Sequence, residues 1–93
     1  MKSIWKYPLQ VTDVQTIYPP YGSELLCIQN QFEIPCIWAL VTTDNILNTV
    51  DEFKVYTFGT GHPIPELQDN AFYLGTYQLM DGLQVYHVFV ERT

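Results

Sequence analysis

Ninety-three residues, 47% hydrophobic and only 15% charged, describe one small folded domain and exclude a disordered chain. A net charge of −6, from four Lys or Arg against ten Asp or Glu, argues against a duplex nucleic-acid binder, which needs many cations to displace counterions from phosphates. So few charges on so small a domain also leave apolar surface for a second copy to cover, and a homo-oligomer is expected.

Val, Ile, Thr, Tyr, Phe and Trp recur in short runs broken by Pro, Gly, Asn and Asp, which is strand punctuation. No window of about 12 residues carries a helical period. The first strand is expected over residues 2–9, with Ser3, Trp5 and Tyr7 on one face and Lys2, Ile4 and Lys6 on the other. The second covers 14–18 and ends at Pro19-Pro20, which places its end at a sheet edge or outside the sheet. A hairpin follows, over 24–30 and 35–42. Its second arm, IPCIWALV, is apolar on both faces and reads as a central strand covered on both sides. Cys27 and Cys36 are expected to face each other there as small, reduced hydrophobes. The segment TDNILNTVDE reads as a loop or a single helical turn capped by Asp44.

The fifth strand spans 52–59. The last two, 71–80 and 83–91, flank Asp81-Gly82, a strong type I′ hairpin signal. That turn pairs Tyr77 with Tyr86 and Thr76 with His87. Unbroken alternation then puts Phe72, Leu74, Thr76, Val85, His87 and Phe89 on one face, and Tyr73, Tyr77, Tyr86, Val88 and Val90 on the other. Both faces are apolar enough to be buried, one of them against another subunit. The sum is an all-β domain over residues 1–93: an antiparallel β-sandwich or open barrel of about seven strands.

Candidate chemistry centres on GTGHPIP, residues 59–65. Glycines let backbone N–H groups approach an anion, so Gly59, Thr60, Gly61 and His62 are candidate phosphate contacts, with Lys6 or Lys54 as the charge partner. The stretch lacks the third glycine of a dinucleotide fingerprint and the Lys-Ser/Thr of a P-loop, and Pro63 and Pro65 oppose a helix. The plainer reading is a strand exit followed by a stiff, proline-set loop. His62 and His87 together would suit a metal-independent phosphodiesterase, one imidazole as base and the other as acid. Alone, His87 reads as a core histidine bonded to Thr76. Cys27, Cys36, His62 and His87 have the ligand count for zinc but not the spacing, so no metal and no other cofactor is expected. Ser3 and Ser23 lie in no nucleophile elbow. Trp5, Tyr7, Trp38, Tyr56, Tyr73, Tyr77 and Tyr86 are too many for so small a core to hide, and they read either as core and dimer contacts or as a stacking surface for a nucleobase, with Trp5, Tyr7 and Trp38 the leading candidates.

Three segments, IWKYPLQVTDVQTIYPPYG, PCIWALV, and GTGHPIP with YHVF, resemble a family of small bacteriophage and prophage proteins classed as a domain of unknown function. The likeness spans most of the chain; the loops NQFE and TTDNILNTVDE depart from it. It implies a gene product made in the cytoplasm of an infected bacterium. By analogy with small phage proteins that counter host defence, it implies a protein that sequesters a nucleotide-derived immune signal, a cyclic dinucleotide or an ADP-ribose derivative. The alternatives are an enzyme that cleaves such a signal and an acidic inhibitor of a host defence protein. An apolar leader core and a run of about 20 apolar residues are both missing from the sequence, so no membrane partner is expected.

Overall fold

The structure, a computed structural model, describes residues 1–44 and 49–93. The loop or helical turn expected within TDNILNTVDE falls on residues 45–48, outside the described residues. Seven strands form in chain order: β1 Lys2–Pro8, β2 Val14–Ile17, β3 Glu24–Gln31, β4 Ile34–Thr42, β5 Phe53–Gly59, β6 Phe72–Leu79 and β7 Gln84–Arg92. They make two antiparallel sheets, β1-β4-β3 and β2-β5-β7-β6, with no helix among the described residues. The all-β class and the strand count follow the alternation and punctuation of the sequence.

β4 is the centre of the first sheet. Its inward residues Ile37, Ala39 and Val41 are fully buried, while Trp38 and Leu40 on the other face are half-buried, so β4 is central as expected but covered on one side and not on both, because the second sheet packs only on its inward face. Facing them from the second sheet are Phe53 and Val55 of β5 and Val88 and Val90 of β7. Each such aliphatic side chain contributes about 1.5–3 kcal/mol when removed from water. β2 is an edge strand, and Pro19-Pro20 follow beyond its end.

The two sheets meet along β3 and β6. Gly75 lies so close to β3 that a Cβ there would stand 2.7 Å from Ile28 Cγ2. Asn30 donates to the Gln78 carbonyl, and Met80 N–H donates to Glu33 at 3.2 Å. The opposite edges, β1 and β2, do not pair with each other. A groove of about 280 Å³ lies at that side, lined by Trp5, Tyr18, Pro20 and Val50 among others.

The Asp-Gly turn sets the register of the last hairpin as expected, with Thr76 opposite His87 and Tyr77 opposite Tyr86. Asp81 and Gly82 have φ of 54° and 87°, and Leu83 N–H donates to Met80 O at 3.1 Å, a type I′ turn. Further from the turn the expected faces are wrong. A bulge between Tyr73 and Gly75 shifts the register, so Tyr73 pairs with Phe89 and Phe72 with Val90. Tyr73 therefore joins the outer face with Thr76 and His87, and Phe72 leaves it. The outer face is covered only in part, since His87 and Phe89 stay half-buried and Tyr73 is exposed. A second bulge, between Leu25 and Cys27, sets Cys27 opposite Trp38 and Cys36 opposite Gln29. The two cysteines share a face diagonally and do not oppose each other; both are free.

β5 and β6 both pair antiparallel with β7, so they run parallel to each other. A parallel connection needs about a dozen residues to return along the sheet, which residues 60–71 supply. The inner face is occupied by the first sheet, so this connection crosses the outer one. GTGHPIP is its opening.

Candidate functional site

His62 N–H donates to Gly59 O at 3.1 Å, closing a turn over Gly59–His62. Gly61 occupies the third position with φ +84°, the conformation a type II turn demands there. Thr60 N–H donates to Val85 O at 3.1 Å and so carries the ladder one residue past β5. The Thr60 N–H, one of the expected phosphate contacts, is thus engaged in the ladder and not offered to an anion. Pro63 and Pro65 then hold the chain extended for the crossover.

The turn folds the His62 ring back onto Gly59. A Cβ on Gly59 would lie 2.9 Å from His62 Nδ1, so the absent side chain is what makes room for the imidazole. Position 59 points to the inner side of its sheet, like Val55 and Thr57 before it. His87, paired with Phe58, points to the outer side. The two histidines thus sit on opposite faces, and the acid–base pair is not assembled. Both nitrogens of His87 are held by threonines, Nε2 by Thr60 Oγ1 at 2.7 Å and Nδ1 by Thr76 Oγ1 at 2.9 Å, and the Tyr73 hydroxyl continues the chain to Thr76. This is the pattern of a structural histidine fixing the crossover to the β6–β7 hairpin.

The other expected contacts are dispersed. Lys6 and Trp38 lie on the outer face of the first sheet, where Lys6 Nζ donates to Gln31 Oε1 at 2.5 Å and Trp38 Nε1 to Gln29 O at 3.4 Å. Lys54 is on the outer face of the second sheet, opposite Glu91. Trp5 lines the groove beside β1. Tyr7 is half-buried against the core, and that burial raises its phenol pKa. Neither lysine lines the hollows around His62. The four residues of the zinc set are divided between the two sheets and the crossover.

What the fold does gather around His62 is a cleft at one end of the sandwich. One lobe, of about 470 Å³, runs between Asp13 and Val14, Tyr56 and Phe58 of β5, and Pro63 and Pro65 of the crossover. A second, of about 250 Å³, is lined by Val11, Thr12, Asp13, Thr57 and Tyr86. Gly59 and His62 belong to both. Thr57 also lines both lobes; it is buried, and its Oγ1 has no hydrogen-bond partner. A buried hydroxyl without a partner costs about 1–3 kcal/mol.

Two tyrosines shape the surroundings. Tyr77 stacks near Tyr86, ring centroids 5.3 Å apart, with its own hydroxyl buried and unpartnered. Burial, and secondarily the neighbouring Tyr86, push its pKa up to about 12. Tyr56 Oη donates to Glu91 Oε1 at 2.5 Å, and that bond, then burial and the Glu91 charge, raise the Tyr56 pKa.

Asp13 and Thr57 were not among the expected site residues, whereas Tyr56 and Tyr86 belong to the aromatic surplus expected to supply a stacking surface. A signal for Thr57 was present: the inward positions of β5 read Phe53, Val55, Thr57, Gly59, and the sole hydroxyl in that row marks where the core stops being dry. Asp13 carried no such signal, because it reaches the cleft only through the turn after β1.

No curated protein and no solved structure matches the chain. The family model described as Domain of unknown function (DUF7352) matches residues 1–93, and the chain belongs to that family.

Proposed function

We propose that this domain is a binding module that captures a small nucleotide-derived ligand in the cleft around His62. The observation that carries this reading is the cleft itself, two lobes of about 470 and 250 Å³ that share Asp13, Thr57, Gly59 and His62. It is joined by groups that suit a nucleoside. Tyr56 and Tyr86 offer ring surfaces, Asp13 is an acceptor for sugar hydroxyls, and His62 can donate or accept. The absence of a cation from the lining means that base and ribose enter the cleft, while phosphates stay at its mouth in water. Among the expected cations Lys54 is the nearer in sequence, two residues from Tyr56 on the same face.

In the phage setting that the sequence resemblance implies, the ligand is a host immune signal, and the protein acts in the cytoplasm of the infected cell by sequestration. The separation of His62 from His87 favours capture over cleavage. A thermal-shift panel of cyclic dinucleotides, ADP-ribose derivatives and plain nucleotides tests this. A ligand at 100 times its dissociation constant adds about 2.7 kcal/mol, several degrees for a domain of this size. His62→Ala and Asp13→Asn are expected to abolish the shift, and the ligand is expected back intact after denaturation. A panel without any shift overturns the reading; recovered fragments replace capture with catalysis.

A second reading, inhibition of a host protein, is favoured by a different feature. The β3–β4 and β6–β7 turns lie side by side and expose Phe32 (91%), Leu83 (81%) and Met80 (58%). With Glu33 and Asp81 among them, this tip suits an apolar pocket rimmed by basic residues.

A further inference from the structure

Among the described residues no other strand packs on the outer face of the β1-β4-β3 sheet, and its centre is apolar. Trp38 and Leu40 of β4 stand half-buried in the middle of that face, and Ile4 on β1 is 59% exposed. The charges are segregated by strand. Lys2 and Lys6, half of the chain's four Lys and Arg residues, lie on β1 at one margin. Glu24 lies on β3 at the other, level with Ile4 because both pair with Leu40.

We propose that this face is a homodimer interface, formed by two copies packed sheet to sheet about a two-fold axis that runs along β4. The charge pattern selects the axis. With the axis along β4, β1 of each copy lies over β3 of the other. Each Glu24 then stands over Ile4 of the second copy, between its Lys2 and Lys6, while Trp38 and Leu40 form the dry centre. An axis across the strands would lay β1 over β1 and set lysines against lysines. Sheets packed in this way lie about 10 Å apart with strands within about 30° of alignment, which a three-stranded face accommodates. A closed, isologous pair also covers the apolar surface that the low charge content leaves. The face is narrow, so the dimer belongs with small interfaces and dissociates in the micromolar range.

The experiment is sedimentation velocity at about 100 µM protein, a concentration chosen for an interface of this size. The parent protein is expected to sediment as a dimer. The double variant Lys2→Glu/Lys6→Glu and the single variant Glu24→Lys are each expected to be monomeric. An equimolar mixture of the two variants is expected to recover the dimer, because every contact across the axis again joins opposite charges. Ile4→Asp is expected to be monomeric and beyond rescue. All these positions lie outside the core, so a parent-like β-sheet circular dichroism spectrum and a cooperative melt check that the variants are folded, with a melting temperature lowered only by the loss of dimerisation. A monomeric parent, a dimer that persists in both charge variants, or a mixture that stays monomeric would each overturn the proposal.

Discussion

At the scale of single residues, the two glycines of GTGHPIP have different tasks, and substitution separates them. Gly61 supplies a positive φ and faces open space, with nothing within 4 Å of a Cβ placed there. Gly61→Ala is therefore expected to cost about 1 kcal/mol of stability through backbone strain alone. Gly59 makes room for the His62 ring, which is an exposed side chain able to swing away. Gly59→Ala is expected to melt within a few degrees of the parent but to displace His62 and weaken ligand binding by tenfold or more, on the order of 1.4 kcal/mol. Thermal melts alongside ligand titrations read both effects. Tyr77 supports a second prediction. Its pKa is raised to about 12 in the folded protein, against about 10 in an unfolded chain, so the native state holds the proton more tightly. The stability this brings is complete below about pH 10 and is lost as pH rises from there through about 12. Tyr77→Phe keeps the ring and removes a hydroxyl that has no partner. It is expected to be neutral or stabilising by about 1 kcal/mol at pH 7 and to flatten the alkaline loss, as melts between pH 9 and 12 would read.

At the scale of elements, the bulges decide where the sheets touch. Gly75 follows the bulge of β6 and lies against Ile28 of β3, at the seam that closes the sandwich. Gly75→Ala puts a methyl group where Ile28 Cγ2 already stands, at a φ of 156°. It is expected to destabilise by about 1–3 kcal/mol, by overpacking, in chemical denaturation. The same bulge marks how far the sequence could be read. Strand number, the central place of β4, the edge place of β2 and the hairpin register near Asp81-Gly82 were all legible, because each rests on local chemistry: apolar runs, prolines, a turn dipeptide. A bulge is a single extra residue, and where both faces are apolar it leaves no break in the pattern. Phe72 and Tyr73 are equally plausible on either face, so the faces were assigned the wrong way round. Gly75 itself was the available sign, since a glycine inside a strand marks a bulge or a close backbone approach. The site was less legible for a related reason. His62 and Gly59 stand out as residue types, and Thr57 is two residues from Gly59 on β5, but Asp13 and Tyr86 reach them from two other stretches of chain. Such pairings depend on strand order, which alternation does not encode.

At the scale of the whole molecule, the fold is a thin sandwich, 43 × 31 × 16 Å in principal extents, shut along β3–β6. Most of its neighbouring residue pairs join segments far apart in the chain. Closing such loops before any reward is slow, so folding is expected in milliseconds to seconds, not microseconds. Stopped-flow refolding followed by the fluorescence of Trp5 and Trp38 would measure it, and a microsecond phase carrying the full amplitude would contradict it.

The crossover over residues 60–71 has a consequence for the protein as it leaves the ribosome. β5 and β6 are neighbours of β7 and not of each other, and β7 is made after both. The first sheet can assemble once β4 has emerged. Until β7 emerges, β5 and β6 have no strand between them, and the inward side chains of the first sheet have little to pack against. The half-made protein therefore exposes strand edges and an apolar face for as long as translation continues, a vulnerable interval in which chaperone capture or aggregation competes with completion. Codon choice and pausing in the stretch that encodes residues 60–92 would then control how much protein matures, more than changes of equal size upstream.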